Sequence, residues 1–331
     1  MPTYRFDTTM KLTAILDLVA ADMAGVNTHI RENMRSEVGL IEQMGEYIIA
    51  GGGKRLRPVV AILAAKAAGY TEDRHQVAAS IIEIIHTATL LHDDVVDASD
   101  LRRGQETANS IWGNESAVLV GDFLFSRAFE MAIAMNDVRV MQILASTINR
   151  ITEGEVMQLL YCNEPDTTEQ QYMTVIECKT AKLFEAAAEV GAVLAQKDSQ
   201  MEASLAAYGT HLGTAFQVAD DLLDYRADSE TLGKNVGDDL AEGKPTLPII
   251  YAMQHGSATQ VALLRQVIEN GDREKLAQVV EIIEDTKALD YAQTVMLRES
   301  EKAMATLVAV PDSEYKAALL GLIEFSVARL Y

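Results

Sequence analysis

The feature that most constrains this chain is a repeated acidic cassette. D-D-x-x-D occurs as Asp93-Asp94-Val95-Val96-Asp97 and again as Asp220-Asp221-Leu222-Leu223-Asp224. Each copy ends a long apolar-periodic segment, Val77 to Leu91 in the first case and Leu205 to Val218 in the second. Residues four apart share a helix face, so Asp93 stacks above Asp97 while Asp94 turns aside. Like charges this close repel by about 1 kcal/mol per pair even in water, and by more as the site dries out. Such a cluster asks for a cation. Oxygen donors without Cys or His at ligand spacing suit Mg²⁺, which keeps several waters and bridges one or two carboxylates to phosphate oxygens. Arg102 and Arg103, just downstream, are the residue type that grips phosphate bidentately. One cassette alone is usually a solvated helix face, but two that emerge from core helices can face each other across a cavity and hold metals between them.

The rest of the chain supplies the helices this requires. Of its 331 residues, 49% are hydrophobic, which is ample for a large core, and no linker-like shift in composition divides it. Its 6 prolines sit beside turn signals or at element edges and leave long proline-free runs. The expectation is an all-α fold in a single domain over residues 1–331, with residues 1–20 as a loosely attached N-terminal helix carrying Leu12, Ile15, Leu16 and Val19.

The net charge of −21 argues against nucleic acid, whose phosphate backbone is bound by an excess of Lys and Arg. The same charge repels a diphosphate at long range, so metals and a few local cations must overcome it. Cys162 and Cys178 show no metal-ligand spacing and fit unpaired thiols in a reducing compartment. Met1 to Lys11 lacks the basic-then-apolar order of a signal peptide, and no apolar run approaches a membrane span. A cytoplasmic protein without membrane insertion is expected.

Other positions carry chemistry on local grounds. Gly51-Gly52-Gly53-Lys54-Arg55-Leu56-Arg57-Pro58 is a glycine turn feeding a helix, with Pro58 suited to the first helical position; three cations beside a helix start make an anion site. His86 lies seven residues before Asp93, on nearly the same helix face. Helices over Ala117 to Met135 and Val138 to Leu160 are apolar and Met-rich, which suits either core packing or an adaptable wall for a flexible ligand. Asn163 to Asp166 breaks the run, and Thr168 restarts it as an N-cap; Lys179-Thr180 then falls inside an apolar, Ala-rich stretch. Gly233 to Thr246 is glycine-punctuated and too charged for a simple helix connection.

Together these motifs resemble the all-trans polyprenyl diphosphate synthases, whose aspartate-rich signatures are DDxxD followed by RRG, and FQxxDDxxD. The first is met by Asp93 to Asp97 with Arg102-Arg103-Gly104, the second by Phe216-Gln217 running on to Asp224. The likeness runs from about Asp22 to the last helix, and Ile85 to His92 is most similar to the bacterial octaprenyl branch. The resemblance implies a helical bundle around a central cavity and a prenyltransferase that joins isopentenyl diphosphate to an allylic diphosphate such as farnesyl diphosphate, making a quinone-type side chain.

It further implies two or three Mg²⁺ per site, held by Asp93, Asp97 and Asp220, with Asp94, Asp221 and Lys179 also catalytic and Asp238 in the metals' outer shell. By the same resemblance Lys54, Arg57, His86 and Arg103 hold isopentenyl diphosphate. Arg102, Lys179, Thr180, Gln217 and Lys234 hold the allylic diphosphate, Lys244 adds a further cation, and the protein is a homodimer. The growing chain would pass down the helix beneath the first cassette at about 1.5 Å per residue, where small Ala88 with Thr89 and Ile85 predicts a product of about eight isoprene units, with nine or a shorter chain as alternatives.

Rival readings rest on other residues. Glu83 with His86 and Glu72 with His75 match the Glu-x-x-His spacing of di-metal bundles. A non-catalytic partner subunit or a terpene cyclase would share the helical architecture. The intact aspartates disfavour the partner subunit, and the Gly51-to-Arg57 anion site favours chain elongation over cyclisation.

Overall fold

Many of the helices end within two residues of a glycine or a left-handed residue, as at Gly51, Gly69, Ala98, Gly113, Asn136, Asn163, Gln196, Gly271 and Lys287. A computed structural model describes residues 10–102, 104–226 and 237–328. In chain order these form α1 (Leu12–Leu18), α2 (Ala20–Asn33), α3 (Gly39–Ala50), α4 (Leu56–Ala67) and α5 (Arg74–Val96). A hairpin of two-residue strands follows, β1 (Leu101–Arg102) and β2 (Gln105–Glu106), then α6 (Ala108–Trp112), α7 (Asn114–Ala134) and α8 (Val138–Tyr161). Next come α9 (Glu169–Ile176), a π-helical turn at Glu177–Ala181, α10 (Lys182–Leu194) and α11 (Ser199–Arg226). The chain closes with α12 (Asp238–Ala241), α13 (Leu247–His255), α14 (Ala258–Asn270), α15 (Leu276–Asp285), α16 (Ala288–Thr306) and α17 (Glu314–Ala328). The all-α expectation holds: the hairpin is the only sheet among the described residues.

At the centre, α10 lies between α4 and α11, and α5 packs on α4 and α7. On α4 every residue from Pro58 to Ala65 is buried. Small residues let these helices approach closely. A Cβ on Gly191 of α10 would stand 2.5 Å from the Ala65 nitrogen of α4, and one on Gly213 of α11 would stand 2.6 Å from the Ala181 Cα. With backbones this near, the middle of the bundle is filled, and open space is left where polar side chains gather at the helix ends.

Some expectations change in detail. The N-terminal helix is packed rather than loosely attached, since Ile15 and Val19 are fully buried and α1 rests on α17. Pro58 is the third helical residue, not the first; α4 starts at Leu56 after Arg55, whose φ of 46° sets the left-handed entry. In the first turn Pro58's missing N–H costs no hydrogen bond. Both cassettes lie within the last turns of α5 and α11, with Asp97 as the α5 C-cap. Among the described residues no helix is long and apolar enough to cross a membrane.

Candidate active site

One cavity of about 680 Å³ opens where the ends of α4, α5, α8 and α11 meet the π turn. Asp93 and Asp97 of α5 line one wall, and Asp220, Asp221 and Asp224 of α11 line another. Sequence spacing foresaw this pairing of cassettes. It also foresaw that Asp94 turns aside, but not what it does there. Asp94 is buried outside the cavity lining, where Arg102 donates to its Oδ1 from both Nε and Nη2 at 2.7 Å. Burial raises the Asp94 pKa, with Arg102 opposing the rise. Asp94, expected to be catalytic by resemblance, stands here as an anchor: its pair with Arg102 fixes the hairpin that carries Arg102 to the cavity rim.

The second cassette is similarly divided. Asp221 is buried and accepts hydrogen bonds from the Tyr172 hydroxyl at 2.6 Å and from Gln217 Nε2 at 2.8 Å. Burial, with Asp239 nearby, pushes its pKa up to about 8 against those two donors. Gln217 in turn accepts from the Thr180 hydroxyl at 2.9 Å. Thr180, Gln217 and Asp221 thus form one chain along the floor.

Lys179 and Thr180 reach the cavity because the helix widens by one residue at Glu177–Ala181. The widening is held from across the gap by Gly154 of α8, whose added Cβ would stand 2.8 Å from Cys178 Cβ and 2.9 Å from the Lys179 nitrogen. Lys179 Nζ donates to Glu155 Oε2 at 2.6 Å and Gln158 Oε1 at 2.7 Å, and lies 3.7 Å from Asp93. Burial and the neighbouring Asp93 raise Glu155 to about 7, with Lys179 opposing.

Lys244 makes an ion pair with Asp97 at 3.1 Å and a second with Glu242. Burial depresses its pKa, yet Asp97, Glu242 and Asp239 outweigh that and hold it above the usual lysine value.

At the other end of the cavity Arg57 Nη1 is 3.1 Å from His86 Nε2, and its guanidinium lies 4.5 Å over the Phe184 ring. Lys54 also lines the cavity, with Nζ 4.7 Å from the Phe325 centroid. Of the chain-length positions, Thr89 lines the cavity while Ala88 and Ile85 are fully buried in the core and do not. Arg103, Lys234 and the Asp238 side chain lie outside the described residues.

Sequence reasoning missed Glu155, Gln158, Tyr172 and Asp239, all of which line the cavity, as does Arg55, one of the three cations of the expected anion site. Glu155 and Gln158 sit one turn apart on an apolar helix, a polar stripe that was available as a signal. Arg55 pairs with Glu83 at 3.9 Å and with Asn27.

Among the described residues no three His, Cys, Asp or Glu converge into a ready metal cage. The donors that line the cavity are carboxylates on facing helices, which fits hard divalent ions completed by water and phosphate oxygens. The di-metal bundle reading fails here. His86 meets Arg57, and His75 is tied to Asp22 at 2.7 Å and to the Glu72 carbonyl at 2.7 Å.

Comparison with known proteins agrees. The sequence profile of the family described as Polyprenyl synthetase matches residues 38–285. Octaprenyl diphosphate synthase of Escherichia coli is 51% identical over 321 residues, covering 97% of this chain and 99% of the relative. A nonaprenyl diphosphate synthase of Rhodobacter capsulatus is 45% identical over 96% of this chain and 97% of its own. The crystal structure of a Caulobacter crescentus polyprenyl synthase complexed with calcium and isoprenyl diphosphate superposes with a TM-score of 0.94 at 42% identity, over 98% of this chain and 100% of the other. The match extends to the helices that carry both cassettes, and on that ground this chain belongs to the polyprenyl synthetase family and is a prenyltransferase.

Proposed function

We propose that the chain is a long-chain all-trans polyprenyl diphosphate synthase. It adds isopentenyl diphosphate units to an allylic diphosphate, with farnesyl diphosphate as primer and the octaprenyl chain as product. The observation that carries this reading is that both aspartate cassettes line one cavity together with the cations Lys54, Arg55 and Arg57. The high identity to an octaprenyl synthase supports the chain length.

In this reading Asp93, Asp97 and Asp220 hold divalent ions, Mg²⁺ by donor chemistry. When bound, such ions supply positive charge to the departing diphosphate. Lys179 and Arg102 stand beside them as fixed donors to the same diphosphate, as does Lys234 by resemblance. Arg57, His86 and Lys54, with Arg103 by resemblance, hold the second diphosphate so that its double bond approaches the allylic carbon. Leu183, Phe184, Phe216 and Ile151 wall the space between and exclude the water that would otherwise capture an allylic cation. Thr89, the one of the three expected chain-length positions that lines the cavity, is not an aromatic block, which supports a long product.

A homodimer completes the proposal. Leu119 and Ile133 on α7 and Val138, Leu159 and Leu160 on α8 are each more than half exposed, an apolar strip that a second copy would cover. Incubation with farnesyl diphosphate, isopentenyl diphosphate and Mg²⁺, with product masses read directly, tests the reading.

A further inference from the structure

The two outer aspartates of the first cassette are met in the same way. Lys179 is shared between Asp93 and Glu155, and Lys244 between Asp97 and Glu242. In both triads the second carboxylate is a glutamate outside either cassette, and all six side chains are 14–26% exposed. Charges this desolvated are not the loose pairs of an open surface. Glu155 takes its lysine at 2.6 Å while Asp93 stands at 3.7 Å, so the ammonium is hydrogen-bonded to the glutamate and only near the aspartate. The two triads come from unrelated stretches, one on α8 and the π turn and the other after α12, so the repetition is not an accident of one helix register.

We propose that Glu155 and Glu242 are positioning residues that hold the ammonium groups of Lys179 and Lys244 in reserve beside Asp93 and Asp97 until a metal-bound diphosphate arrives. An ammonium has three donors and no acceptor. Without its glutamate, Lys179 settles on Asp93, Lys244 gives its whole charge to the Asp97 it already meets at 3.1 Å, or either pairs with any diphosphate that enters. The first outcome competes with the divalent ion for the aspartate oxygens, and the second lets diphosphate bind before metal. The glutamates suppress both, so that metal and diphosphate load together. This inference rests on the proposed assignment of the site to a metal-bound diphosphate.

Glu155→Gln and Glu242→Gln keep size and one hydrogen-bond acceptor while removing the charge. Inorganic diphosphate is titrated calorimetrically into each variant and the parent, once with a chelator and once across a Mg²⁺ series. In each variant the metal-free dissociation constant is expected to fall about fivefold, while the Mg²⁺ concentration for half-saturation rises about fivefold, as expected for roughly 1 kcal/mol per half-buried pair. A structural role alone would not drive the two quantities in opposite directions. The proposal is overturned if both quantities stay at the parental values or both weaken together. Lys179→Ala serves as control: parental diphosphate binding in that variant would instead refute the assignment of the site itself.

Discussion

Arg102 closes on Asp94 with two nitrogens at 2.7 Å from a single carboxylate oxygen, and this pair separates the middle aspartate of the first cassette from its neighbours. Asp93 and Asp97 face the cavity, whereas Asp94 anchors the hairpin. Removing one partner of a buried pair strands the other charge. Asp94→Asn is therefore expected to destabilise the fold by about 3 kcal/mol and to misplace Arg102. Asp93→Asn should abolish turnover with little loss of stability. Thermal unfolding of the two variants side by side checks the division; equal stability would contradict it.

The π turn depends on Gly154. A methyl group there would meet Cys178 and the Lys179 backbone within 2.9 Å. Gly154→Ala is expected to cost about 1–3 kcal/mol through overpacking and to lower kcat by at least an order of magnitude, because Lys179 moves with the turn. Steady-state kinetics and a melting curve on the same preparation decide the point.

How far these features were legible in the sequence follows from how local they are. The cassettes are local, and helix geometry alone puts Asp93 and Asp97 on one face and Asp94 off it. The partner of Asp94 was not legible, since Arg102 reaches it through a hairpin of two-residue strands that sequence spacing does not show. The π turn was invisible for another reason: one extra residue in a helix leaves no composition signal, and here it follows from close approach of α8. Likewise nothing in the sequence names the partner of Glu155, whose role follows from α8 meeting Lys179. The packed state of α1 depends on α17, near the opposite end of the chain, which periodicity cannot anticipate.

At the end of the cavity proposed for isopentenyl diphosphate, Arg57 is held between His86 and the Phe184 ring. His86→Ala should leave Arg57 less ordered and raise KM for isopentenyl diphosphate about tenfold, with a smaller effect on the allylic substrate, as expected for loss of about 1.4 kcal/mol of binding. Separate KM measurements for the two substrates test this, and equal changes in both would refute it.

Away from the cavity, Glu189 on α10 is pushed up to about 7 by burial, with Arg139 opposing and Glu185 and Glu202 adding to the rise; Lys182 also faces it. Its usual value is 4.5, so the folded protein binds this proton more tightly than the unfolded chain. The resulting stability is fully present below pH 4.5 and is lost as pH rises through about 7. Denaturant unfolding of the parent should lose about 1–3 kcal/mol more than Glu189→Gln between pH 5 and pH 8. Parallel pH profiles for the two proteins would contradict this.

The central claim is that the facing cassettes and the cationic end of the cavity make one chain-elongation site. Its most direct test is the mass spectrum of products from purified protein, farnesyl diphosphate, isopentenyl diphosphate and Mg²⁺. The expected result is a Mg²⁺-dependent ladder of prenyl diphosphates that ends at the octaprenyl chain. Unchanged farnesyl diphosphate in the presence of Mg²⁺ would contradict the account.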